Sequence, residues 1–90
     1  MNNTSKDVAQ WMLEQLNSAN WLYQETIVYQ IRENFGKEFT YDNENGNLAI
    51  DRRVLREFRK LTDENVVWDR GERCWRFRQS YDTPDKRQVE

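Results

Sequence analysis

Residues 51–78 read DRRVLREFRKLTDENVVWDRGERCWRFR, and this stretch decides the fold. At about 100° per residue, Val54, Leu55, Phe58 and Leu61 share one side of a helix, while Arg52, Arg53, Arg56, Arg59 and Lys60 cluster about the opposite side. Asp51 is placed as its N-cap, and the helix is expected to run to about Thr62, where Asp63-Glu64-Asn65 breaks it. Val66-Val67-Trp68 and Arg73–Arg78 flank Asp69-Arg70-Gly71-Glu72, a turn by composition, so a β-hairpin follows the helix directly. On its second strand Trp75 and Phe77 face one way, toward the helices, and Cys74, Arg76 and Arg78 the other. The hairpin carries four more arginines, so positive charge gathers on two consecutive elements.

Upstream, Thr4 or Ser5 caps a first helix with Asp7 in its first turn. Val8, Ala9, Met12, Leu13 and Leu16 form its apolar side, and Gln10, Glu14 and Asn17 its wet side. Asn17–Asn20 ends it. Trp21-Leu22-Tyr23 is either an edge strand or the entry to the next helix, and the strand reading is preferred. A second helix spans about Gln24 to Phe35 on an Ile27, Val28, Ile31, Phe35 stripe, with Gly36 as its left-handed terminator. Residues 37–50 suit a small hairpin or an ordered loop around Asn45-Gly46. Their Asp, Asn and Glu content suggests calcium, but with Gly46 as the loop glycine, Tyr41 falls on the first ligand position and Arg52 on the bidentate one. The tail, 79–90, has no periodicity and is expected to be extended or disordered.

With 37% hydrophobic and 33% charged residues, and four each of Trp, Tyr and Phe, the 90-residue chain is expected to form one aromatic-rich globular domain. No apolar run approaches the ~18 residues of a membrane span, and MNNTSKDV lacks the layout of a signal peptide, so a cytoplasmic protein is expected. Cys74 is the single cysteine and there is no histidine, which argues against a disulfide, zinc and triad chemistry. Cys74 reads as a half-buried small residue rather than a reactive thiol. Without a phosphate-cradling glycine loop or a nucleophile beside a base, no enzyme, cofactor or small-molecule substrate is expected. The formal charge is −2, unevenly spread: residues 1–50 hold three Lys or Arg against seven acids, residues 51–78 nine against six, and residues 79–90 two against three. Screening beyond about 8 Å lets such a local cationic face act despite an acidic remainder.

Helix, short strand, helix, helix and hairpin, with VVWDRGERCWRFR directly after an amphipathic basic helix, resembles the winged-helix superfamily over about residues 5–78. ENGNLAIDRRVLREFRKLT and GERCWRFR also look like a family of small bacterial proteins of uncharacterised function. The resemblance implies an α+β fold over residues 1–78: a three-helix winged-helix domain with a C-terminal β-hairpin wing and a short strand after helix one. It makes the third helix a recognition helix, with Arg52, Arg53, Arg56, Arg59 and Lys60 facing the major groove or phosphates of double-stranded DNA. Arg70 at the hairpin tip, with Arg73, would contact backbone or minor groove. About fifteen residues separate helices two and three, where the superfamily has a tight turn. Glu57, Asp69 and Glu72 sit among the arginines, and Arg53 with Glu57 has i,i+4 spacing. The rival reading is a homodimerisation or protein-docking module that buries Trp11, Trp21, Tyr23 and Tyr29 against a partner.

Overall fold

The structure, a computed structural model, describes residues 3–62 and 65–78 and the backbone of 88–89. Its elements run α1 (Ser5–Ala19), β1 (Trp21–Tyr23), α2 (Gln24–Phe35), a 3-10 turn (Lys37–Phe39), β2 (Thr40–Asp42), β3 (Leu48–Ile50), α3 (Arg52–Leu61), β4 (Val66–Asp69), β5 (Cys74–Phe77) and β6 (Gln88–Val89). This is an α+β fold with a short strand after the first helix and a C-terminal hairpin.

Each boundary has a local cause. Thr4 and Asp7 form a reciprocal capping box, the Asp7 N–H donating to Thr4 Oγ1 at 3.2 Å and the Thr4 N–H to Asp7 Oδ2 at 2.9 Å. Asn20, at φ 70°, turns the chain out of α1 and straight into β1. Gly36 ends α2 at φ 108°, a region that side chains resist. The 37–50 segment is a hairpin, with Thr40 opposite Ile50 and Asp42 opposite Leu48. Asn43 organises its turn: Asn43 Oδ1 accepts from the N–H groups of Asn45 and Asn47 at 2.9 and 3.0 Å. The polar side chain that suggested an ion is occupied by backbone.

α1 and α3 pack together, with Val8, Ala9, Met12 and Leu16 of α1 and Val54 and Phe58 of α3 fully buried. The larger sheet has the order β1-β5-β4-β6. β5 runs antiparallel to both neighbours, so that Leu22, Trp75 and Trp68 lie in one cross-strand row. That row faces the helices: Phe58 and Trp75 meet edge to face at 5.5 Å, and Trp68 and Trp75 at 4.7 Å. A second aromatic chain, Trp11–Phe35–Phe39, with centroids 5.4 and 6.4 Å apart, joins α1 to the end of α2. Trp11, expected to be available to a partner, is spent on this internal contact.

Two further expectations need correction. Leu61, placed on the core side of α3, is 37% exposed at the last residue of the helix. β5 is not half-wet: Cys74 is wholly buried and Arg76 is 7% exposed, on the face opposite Trp75. The tail from 79 to 87 lies outside the described residues, as do Asp63 and Glu64. Gln88–Val89 pairs in parallel with Trp68–Asp69 of β4. No described helix is long and apolar enough to cross a membrane.

Candidate nucleic-acid interface

The seven cations expected to act together divide into three groups. Arg52, Arg56 and Arg59 are exposed and fall at i, i+4 and i+7 of α3, within about 60° of arc at 100° per residue. They lie directly opposite Val54 and Phe58, whose burial fixes the rotation of the helix. Among the described residues none of the three has a carboxylate within 4.0 Å. They form a cationic row about 10 Å long at 1.5 Å rise per residue.

Arg53 and Lys60 flank that row and are engaged. Arg53 does not pair with Glu57. Its Nε and Nη2 each lie 3.1 Å from the carboxylate oxygens of Asp51, whose Oδ1 also accepts the Arg53 N–H at 2.7 Å as the α3 N-cap. The Arg53 guanidinium holds the Asp51 carboxyl below the usual carboxylate value, and Asp51 in turn raises the Arg53 value. Lys60 Nζ is 3.5 Å from Glu57 Oε1, an i,i+3 pair. An Asp N-cap followed at the second helical position by arginine was the sequence signal for the first of these pairs.

The remaining two cations belong to the hairpin rather than to α3. Arg70 occupies the exposed tip of the β4–β5 turn. Arg73 adopts φ 55°, its carbonyl accepts the Gln24 N–H at 3.2 Å, and its guanidinium is 3.9 Å from Glu25 at the start of α2. It lines a cleft of about 330 Å³ with Glu25, Tyr29, Asn43 and Asn47, none of them on α3. Within that cleft Glu25 offsets its charge.

Arg76 was not singled out from the sequence, and its role is internal. Its Nε lies 3.4 Å from Asp69 Oδ2, both side chains being largely buried, while Asp69 Oδ1 accepts the Glu72 N–H at 3.1 Å. The pair spans the hairpin and shapes the turn that carries Arg70. No signal marked it, because an alternating strand reading sends Arg76 to solvent. Beside it, burial pushes the Cys74 thiol value up, with the Asp69 carboxylate adding to the effect. Among the described residues no group of three His, Cys, Asp or Glu is arranged to hold a metal.

The chain matches no curated protein and no solved structure. A model of a family of unknown function matches residues 4–77, from the N-cap of α1 to the last residue of β5. The chain therefore belongs to that family, DUF6953.

Proposed function

We propose that this chain is a small, non-enzymatic, cytoplasmic DNA-binding domain of the winged-helix type, which lays α3 against double-stranded DNA. The observation that carries the reading is the row Arg52, Arg56 and Arg59: exposed, unopposed by carboxylates among the described residues, and held outward by a helix whose Val54 and Phe58 on the other side are fully buried. Guanidinium groups at this spacing suit phosphates or the acceptor edge of guanine. With the β2–β3 hairpin between α2 and α3 set aside as an insertion, the order α1-β1-α2-α3-β4-β5, with β1 antiparallel to β5, resembles that of a winged helix and supports the reading. Arg70 at the hairpin tip would add a backbone contact, whereas Arg53, Lys60 and Arg73 serve structure first.

The test is a mobility shift of labelled duplex at low salt by the purified chain. Retardation that is lost in the Arg52→Ala, Arg56→Ala double variant, with the helical circular dichroism unchanged, supports the reading. No retardation by the wild-type chain overturns it.

A further inference from the structure

β1 is the edge strand of the larger sheet, and among the described residues no strand lies on its outer side. The Gln24 N–H donates to the Arg73 carbonyl, which fixes the parity of the β1–β5 ladder. Counting back two residues, Leu22 is the hydrogen-bonded partner of Trp75, and Trp21 and Tyr23 turn their peptide groups outward. The Tyr23 carbonyl is drawn into the first turn of α2, because Tyr23 is its N-cap. The Trp21 carbonyl and the Tyr23 N–H are left as an acceptor and a donor two residues apart on an open edge. The side chains at these positions, Trp21 and Tyr23, are 45% and 46% exposed.

We propose that the chain self-associates as a two-fold dimer by antiparallel pairing of β1 with β1 of a second copy. Centred on Leu22, this register sets Trp21 opposite Tyr23 of the second copy. The Tyr23 N–H then donates to the Trp21 carbonyl of the other copy, twice by symmetry, and each aromatic pair stacks across the strands. The same edge borders a cleft of about 200 Å³ lined by Gln15, Ala19, Thr26, Ile27 and Gln30 together with β1. None of these lining residues is charged, in a chain that is 33% charged. Residues beside the two-fold axis at Leu22 approach their own counterparts, where a charge would repel itself; the uncharged lining there favours a second copy over a charged partner. The inference is independent of DNA binding and uses no residue of α3.

Sedimentation of the full chain, without DNA, tests it. The mean mass is expected to rise from 11.1 kDa toward twice that value with concentration, between about 10 μM and about 1 mM, as suits an interface of less than ~1,200 Å². Tyr23→Pro removes the outward N–H together with the exposed ring, and the φ of −78° at Tyr23 already suits proline. It should leave the monomer folded and abolish the rise. Trp21→Thr, which keeps the backbone edge and strips the aromatic contact, should weaken association at least tenfold and decides the matter should the proline variant fail to fold. A wild-type chain that stays at 11.1 kDa throughout, assembles beyond a dimer, or dimerises undiminished in both variants overturns the proposal.

Discussion

Asp51 grips Arg53 through both carboxylate oxygens at 3.1 Å while capping the helix that Arg53 belongs to. One acid thus removes a cation from the proposed binding row and starts the element that presents the others. Asp51→Ala is expected to cost about 1 kcal/mol, the usual worth of an Asp N-cap. Because the folded-state value of Asp51 lies below the ordinary 3.8, its stabilisation is complete above that pH. It is lost as pH falls below 3.8 and through the folded-state value. Chemical denaturation at neutral and acid pH should show the wild-type advantage over Asp51→Ala at neutral pH and its disappearance in acid.

Phe58 is 1% exposed and meets Trp75 edge to face at 5.5 Å, joining α3 to the hairpin. Phe58→Ala should cost about 3–5 kcal/mol through lost transfer energy and the cavity left behind. A 90-residue domain has on the order of 5–13 kcal/mol to lose, and one this small lies toward the lower end. The variant is expected to be largely unfolded at 37 °C by circular dichroism, whereas Leu61→Ala, at the exposed end of the same face, should shift the midpoint only slightly.

Asp69 and Arg76 are an ion pair inside the hairpin, and Asp69 also accepts the Glu72 N–H. Asp69→Ala leaves a largely buried guanidinium without this carboxylate and should cost about 3 kcal/mol. At roughly 4–8 °C per kcal/mol for a domain of this size, the thermal midpoint should fall by more than about 10 °C.

Cys74 is fully buried and its thiol is held protonated by desolvation. Its reaction with a disulfide reagent at pH 8 should be at least about 100-fold slower in the folded chain than in denaturant, since attack requires exposed thiolate. Equal rates would contradict the burial.

The sequence carried most of the fold because its signals were local and redundant. Thr4 with Asp7, the αL residue Asn20, Gly36, and Asp51 each announce a boundary within a few residues, and the apolar stripes of α1, α2 and α3 agree with them. What escaped depended on contacts between distant segments. The burial of Arg76 follows from the packing of both faces of β5, and Trp11 became internal only because α2 brings Phe35 beside it. For the candidate site, the cationic side of α3 was legible from its period, but not which arginines remain unopposed. That depended on Asp51 reaching Arg53 and Glu57 reaching Lys60 rather than Arg53. Arg73, given a wing contact by the winged-helix resemblance, lies in the hairpin turn, and the β1–β5 pairing brings it beside the start of α2 as well.

The most direct measurement of the central claim is the salt dependence of duplex affinity. Three phosphate contacts by Arg52, Arg56 and Arg59 give a slope of log K against log salt near −3, at about −0.9 per phosphate. Replacing all three by alanine should lower that slope by about 2.7, leaving no more than the contribution of Arg70, whereas Arg53→Ala, which gives up a cation already held by Asp51, should leave it within about 0.5 of wild type. A slope unaltered by the triple substitution, or reduced as much by Arg53→Ala as by any single member of the row, would contradict the account.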